Sequence, residues 1–444
     1  MSNNDSQPQT SLLKDVLLIT PLSLIGRVGT LLISVALANW FGDTAEMDFI
    51  YYYWVIAAFL IELLSAASAY SVLVPLLAEA RAKGEIEAQR CVQSILSRYI
   101  TLIPWLCCLL VAISWGISQL FFPNAGLTNS AAIGIVCGFL IFTVIASARW
   151  MLRAILDTYQ VFHLPVIVQG LRAVIVIGTI FLCKPYISWF CIPLALIIGE
   201  SFQTIILFQR CCVVLKLPLR DLFRVTQSHS DADRFPYAKQ FLQQCLLMMG
   251  AAISDGLNPV VDRGMASSLG TSSVSKLYYA LRLCAIPESL TGGTLPVLLS
   301  HWAKISSSDN GKKMQQSVWR GVVVVIFLMV PFLIGFYIFR SNIVALLYGH
   351  GRLSVEAQSH IASLLGTYLI GTLPRIISRL LIRAHLARQN HLTVVTATLI
   401  RLVLNPVLNW IFMQYWGLEG IAWSTTLLSY PILAYIAIEF WRKS

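Results

Sequence analysis

Charge is scarce in this sequence. Asp, Glu, Lys and Arg make up 12% of its 444 residues, about half the fraction of an ordinary soluble domain, while 57% are hydrophobic and the mean hydropathy is +0.73. A water-soluble domain is excluded. The apolar runs do not alternate with polar residues, so they are not strands of a membrane barrel. Metal-site spacing is missing too. The ten cysteines and seven histidines form no CxxC pair, no Cys/His cluster and no HExxH. Most cysteines, such as Cys107, Cys137 and Cys284, lie within apolar runs and read as small packing residues. Cys211–Cys212, near a span end, is a candidate for lipidation. The outer connections are short and lack the Asp/His clusters that a membrane-embedded glycosyltransferase needs. Met1–Lys14 is polar and has no signal-peptide pattern, so the first span is expected to be retained.

What the sequence has instead is a succession of apolar runs, each long enough to cross the roughly 30 Å hydrocarbon core as a helix. Twelve spans are expected, at 16–40, 48–78, 98–121, 130–156, 163–183, 187–213, 238–263, 274–300, 318–340, 357–383, 391–415 and 419–440. Basic residues orient them. Arg81, Lys83 and Arg90 follow the second span, and Arg149 and Arg153 border the loop after the fourth. Lys216, Arg220, Arg224 and Arg234 follow the sixth, Lys304, Lys312 and Lys313 the eighth, and Arg442 and Lys443 end the chain. The alternate connections are poor in Lys and Arg. Both termini of this multi-pass protein are therefore expected in the cytoplasm. The same bias accounts for the net charge of +11, so no nucleic-acid partner is expected.

The long polar connection Lys216–Lys239 divides the chain near its middle. WFGDTAEMDFIYYYW (Trp40–Trp54) matches SLGTSSVSKLYYALR (Ser268–Arg282) in its glycine turn and aromatic placement, and VPLLAEARAK (Val74–Lys83) matches LPVLLSHWAK (Leu295–Lys304). Two matches in order favour a repeat over chance. The expected organisation is an N-terminal six-helix lobe at 1–215, a cytoplasmic linker at 216–237 and a C-terminal six-helix lobe at 238–444. An even number of spans per half makes this a parallel pseudo-repeat, a layout recurrent among alternating-access transporters.

A charge in hydrocarbon is expensive and marks a functional candidate. The spans hold Arg27, Glu62, Arg172, Glu200, Asp255, Asp262, Arg282, Glu288, Arg375, Arg379 and Arg401. Arginines in both halves suit an anionic headgroup, because guanidinium grips phosphate in bidentate fashion. Plainer readings compete. Arg379 and Arg383 can snorkel to the surface, Arg401 can pair with Glu200 or Glu62, and Arg263 can anchor at the outer interface. Asn405 and Asn409, one turn apart, offer hard oxygen ligands together with Asp262 and Thr425. Ordinary interhelical hydrogen bonding is the more frequent explanation for such residues.

Several blocks resemble a known family. GRVGTLLISVALANWFGDTAEMDFIYYY…VPLLAEARAKGE, ASSLGTSSVSKLYYALRL…LPVLLSHWAK, RAHLARQNHLTVV and NPVLNWIFMQYWGLEGIAWSTTL together are similar to the MurJ-type (MviN) lipid II flippases. These belong to the multidrug/oligosaccharidyl-lipid/polysaccharide exporter superfamily. The resemblance implies an all-α, V-shaped, two-lobed bundle with a central cavity. It implies translocation of an undecaprenyl-pyrophosphate-linked saccharide across the bacterial cytoplasmic (inner) membrane for peptidoglycan or surface-polysaccharide synthesis. Substrate contacts would map to Arg27, Arg282, Ser275 and Asp48. A monovalent cation site would map to Asp262, Asn405, Asn409, Ile421 (through its carbonyl) and Thr425. No resident cofactor is implied, and Na+ or H+ is the candidate coupling ion. The implied partners are the lipid-linked saccharide, membrane lipids and proteins of cell-wall or polysaccharide synthesis.

The sequence departs from the family pattern at Ile33 and Ser34, where an arginine and an aspartate are usual, at Ile61 and Glu62 in place of an arginine pair, at Leu281 in place of an aspartate and at Asn409 in place of a carboxylate. It is also read as ending after its twelfth span, two short of typical members. The expectation is a transporter rather than an enzyme. A cation-coupled drug or small-molecule exporter, relying on Glu62, Asp255 and Asp262, is the alternative, with an inactive scaffold as a further one.

Overall fold

A computed structural model of the chain describes residues 26, 28–66, 72–121, 128–218, 236–291, 311–388 and 390–442. Every element among them is helical. α1 is 28–41. α2 (Ala45–Ile61) runs into a π-helical turn, Glu62–Ala66. There follow α3 (Val74–Lys83), α4 (Glu85–Phe121), α5 (Asn129–Thr158), α6 (His163–Ile187), α7 (Cys191–Leu215), α8 (Pro236–Ser267) and α9 (Ser273–Thr291). The chain is completed by α10 (Gly311–Ile338), α11 (Arg340–Tyr348), α12 (Val355–Ile370), α13 (Thr372–Ala387) and α14 (His391–Arg442).

Helices are what a lipid-embedded chain requires, because each closes its own backbone hydrogen bonds. Among the described residues, seven stretches are long and apolar enough to cross a membrane. Two of them, at 53 and 51 residues, would be roughly 80 Å long if straight, far beyond one bilayer. The first is divided by a 3-10 turn, Ser188–Phe190. The second breaks at Gly417, where φ is 53°. The second break falls in the expected connection between spans eleven and twelve, and the first lies two residues beyond the expected connection 184–186, inside the expected sixth span. With α12 and α13 counted as one pass, the helices are consistent with twelve passes.

The chain forms two compact units. One comprises Tyr52–Gly256. Within it α7 packs against α5 and α6, and small residues bring the backbones close. A side chain at Gly138 would lie 2.7 Å from Pro193, and one at Gly199 would lie 2.5 Å from Val176. The other unit joins the residues up to Tyr51 with Leu257–Ser444. Here the end of α1 is bonded to the α11–α12 turn. Asn39 donates to the Leu347 carbonyl at 3.1 Å and accepts from the Arg352 amide at 3.0 Å. These bonds draw α1 into the C-terminal unit, so the compact units do not follow the sequence halves 1–215 and 238–444. Most of the 216–237 linker, and the Leu295–Lys304 half of the second repeat match, lie outside the described residues.

Candidate functional site

The start of α9 is built around Asp48 of α2. A helix start leaves backbone N–H groups without intrahelical partners. Asp48 Oδ1 supplies one, accepting from the Ser275 amide at 2.7 Å and from the Ser275 hydroxyl at 2.5 Å. Both residues are buried. One turn further along each helix, Tyr51 stacks on Tyr278 with ring centroids 3.8 Å apart. Tyr279 donates to the Gly42 carbonyl at 2.6 Å. The next turn of α9 carries Arg282, whose guanidinium lies 4.9 Å from the centre of the Tyr278 ring, within cation–π range. Ser275, Tyr278 and Arg282 follow the i, i+3, i+7 spacing of one helix face. The structure thus joins three of the four residues assigned to substrate. Arg282 is the partly exposed one, while Asp48 and Ser275 are buried and bonded to each other at the start of its helix. The fourth, Arg27, lies outside the described residues.

A second cluster gathers around Asp262 of α8. Its Oδ1 accepts from the side-chain amides of Asn405 at 2.6 Å and Asn409 at 2.7 Å. Asn409 Oδ1 in turn accepts from the Ser424 hydroxyl. The Ile421 carbonyl accepts from Ser424 at 2.9 Å and from Thr425 at 3.2 Å. All five residues predicted for a cation site are therefore linked in one network. Ser424 is a member that sequence reasoning missed. Its signal was its place one turn after Ile421 and next to Thr425. Rotating the two amides by half a turn, a change between nearly equivalent shapes, would present five oxygens carrying one negative charge. That donor set fits a monovalent cation.

The remaining span charges are mostly tied into structure. Arg375 donates to Glu288 at 3.1 Å, and Arg379 donates to the other oxygen of that carboxylate at 2.7 Å. Arg379 is half exposed, as snorkelling requires, but it is also paired. Glu200, fully buried, takes Arg149 and Arg172, the latter at 2.6 Å. Of the two acidic residues offered to Arg401, Glu200 is taken by Arg149 and Arg172, which come from the helices packed directly on α7. Arg263 is buried and donates to the Pro259 carbonyl at 2.9 Å, which is not the exposed anchor expected of it. Cys211 and Cys212 are buried too, against the lipidation reading. The side chain of Asp255 lies outside the described residues. Between the spans, Tyr159 donates to Glu85 at 3.1 Å beneath the Arg81 guanidinium. Burial, then the Glu85 carboxylate, push its phenol up to about 12.

Comparison with known proteins places this geometry. The profile of a family described as lipid II flippase MurJ matches residues 37–444. A lipid II flippase MurJ of Burkholderia cenocepacia is 24% identical over 425 residues, covering 93% of this chain and 81% of that protein. A probable lipid II flippase MurJ of Vibrio cholerae is 24% identical over 443 residues, covering 95% and 82%. A solved lipid II flippase MurJ in an inward closed conformation superposes with a TM-score of 0.77 at 20% identity, over 96% of this chain and 88% of that one. An inward-facing multidrug resistance MATE family transporter of the MOP superfamily gives 0.73 at 13% identity, over 95% of each. The structural likenesses establish the fold.

Proposed function

This chain belongs to the lipid II flippase MurJ family, and from that premise we propose that it translocates a lipid-linked saccharide of the lipid II type across the cytoplasmic membrane. The observation that carries the proposal within the structure is Arg282. Its guanidinium is held over the Tyr278 ring on a helix whose start is fixed by Asp48 and Ser275. A cation whose orientation is fixed in advance binds a (pyro)phosphate with less ordering cost than a free side chain. The family is one of transporters, so no chemical step is required. The protein exposes this charge alternately to the two leaflets.

Na+ or H+ coupling is part of the proposal. Asp262, Asn405, Asn409, Thr425 and the Ile421 carbonyl would hold the ion, whose binding would bias the equilibrium between the two access states. Both termini lie in the cytoplasm on this reading, and proteins of cell-wall synthesis are the partners. The drug-exporter alternative is disfavoured, because the MATE neighbours share the fold at 13% identity whereas the family match extends over most of the chain.

The test is replacement of Arg282 by alanine. Translocation of fluorescent lipid II in proteoliposomes should fall to background, and the variant should fail to rescue a flippase-depleted bacterium, while insertion and thermal stability stay near wild type. Wild-type rates in the variant would remove Arg282 from the substrate site. Absence of translocation by the unaltered protein would overturn the flippase reading itself.

A further inference from the structure

The C-terminal unit contains a small cavity that the substrate residues do not line and that shares only Thr425 with the Asp262 cluster. Its volume is about 60 Å³; Arg375, Ser378 and Arg379 of α13 and Arg401, Thr425 and Ser429 of α14 line it, together with one isoleucine from each helix. The α13 residues lie at i, i+3 and i+4, on one face. Thr425 and Ser429 lie one turn apart on the second arm of α14.

The state of the donors is informative. Arg375 is fixed by its own contacts. Nε serves Glu288, while Nη2 donates to Thr372 Oγ1 at 2.9 Å, the Tyr368 carbonyl at 3.2 Å and Cys284 Sγ at 3.2 Å. Nη1 is buried and has no hydrogen-bond partner among the described residues, and the same holds for Ser378 Oγ. Arg375 is 9% exposed and Ser378 7%. Gly371 lets α13 and α14 approach closely beside Nη1, since a side chain there would lie 2.9 Å from Thr426 Cα and 3.0 Å from Nη1. Arg379, 51% exposed, marks the open end. Its carboxylate partner, Glu288, is divided between two guanidiniums. Buried donors without acceptors are rare in proteins and call for a ligand.

From this geometry we infer that the cavity binds a phosphate-class oxyanion. Three guanidiniums and the Ser378 hydroxyl line a space suited to one tetrahedral group, the Thr425 and Ser429 hydroxyls donating instead to the Ile421 and Thr426 carbonyls, and guanidinium matches a phosphate with paired N–H donors. A small oxyanion would give Arg375 Nη1 and Ser378 Oγ their missing acceptor. The same chemistry is offered by free inorganic phosphate and by the headgroup of an anionic phospholipid reaching the open end at Arg379. The site is separate from Arg282, and the inference does not depend on what the protein translocates.

The test uses the purified full chain, with binding of radiolabelled inorganic phosphate measured at constant ionic strength against chloride. Saturable binding is expected. Arg401→Gln and Ser378→Ala should each weaken it, the former roughly tenfold, as loss of a charge-assisted hydrogen bond implies. Arg383→Gln, on the same helix but not lining the cavity, should leave it unchanged. Arg375 is avoided as the main variant because it also holds three helices together. In a second arm, native mass spectrometry compares retained phosphatidylglycerol and phosphatidylcholine before and after phosphate addition. Loss of phosphatidylglycerol on adding phosphate, reduced in Arg401→Gln, identifies a headgroup. Phosphate binding with lipid retention unchanged identifies the free anion. The inference is overturned if phosphate does not bind saturably and phosphatidylglycerol retention is the same in wild type and Arg401→Gln. It is equally overturned if both cavity variants bind phosphate as wild type does.

Discussion

A single carboxylate, Asp48, does at α9 what a local capping residue does elsewhere. It is 2% exposed and serves both polar groups of Ser275. Replacing Asp48 with alanine strands the buried Ser275 amide and hydroxyl. The expected loss is about 1–3 kcal/mol of stability, read as a lower melting temperature in detergent. Ser275→Ala removes the hydroxyl and leaves the amide its acceptor, so its loss should be about 1 kcal/mol or less. If the two variants melt alike, the amide bond is not the stabilising one. The resemblance implies substrate contact for both residues, and their bond to each other was not legible in the sequence because the partners are 227 positions apart. The stacked pair Tyr51–Tyr278 was hidden for the same reason. Asn405 and Asn409, by contrast, were legible as a pair because one helical turn separates them, and Asp262 stood out beside them as a carboxylate within an apolar span.

At the scale of elements, periodicity and length in the sequence located the helices, and the breaks between them came from backbone geometry. Gly417 is the clearest case. Its φ of 53° and ψ of −129° belong to a region that residues with a side chain avoid. Gly417→Ala should therefore cost about 1–3 kcal/mol and loosen the second arm of α14, which carries Thr425 and Ser429. Hydrogen exchange across 418–442 would register this as faster exchange than in wild type, and unchanged exchange would show that the break is not needed. Partners of the span charges were the least legible feature. Arg401 had two acidic candidates in sequence, yet Glu200 is occupied by Arg149 of α5 and Arg172 of α6. A buried carboxylate holding guanidiniums from two other helices is costly to remove, because both cations are then left uncompensated. Glu200→Gln should destabilise the Tyr52–Gly256 unit by about 3–5 kcal/mol, a drop large enough to appear as lost membrane expression. A variant that expresses and melts as wild type does would mean the triad contributes little.

At the scale of the molecule, the alternation of basic and neutral connections makes a commitment that contacts alone do not. Lys83, Arg81 and Glu85 border the α3–α4 turn and are solvent-accessible, with Lys83 paired to Glu79 at 2.8 Å. Tyr186, 86% exposed near the end of α6, borders the connection that carries a single lysine. The positive-inside rule puts these two points on opposite faces of the membrane, because translocating a cluster of Lys and Arg outward is disfavoured during insertion. Measured over the background of the native cysteines, Lys83→Cys should react with a membrane-impermeant maleimide only after the cell is opened, and Tyr186→Cys should react in intact cells. An even number of passes separates α3 from the C-terminus on the same reading, so a tag after Ser444 should behave like Lys83→Cys. Labelling of both cysteines from one side would mean that a pass had been miscounted between α3 and α6. The twelve-pass reading, and with it the cytoplasmic placement of both termini, would then fall.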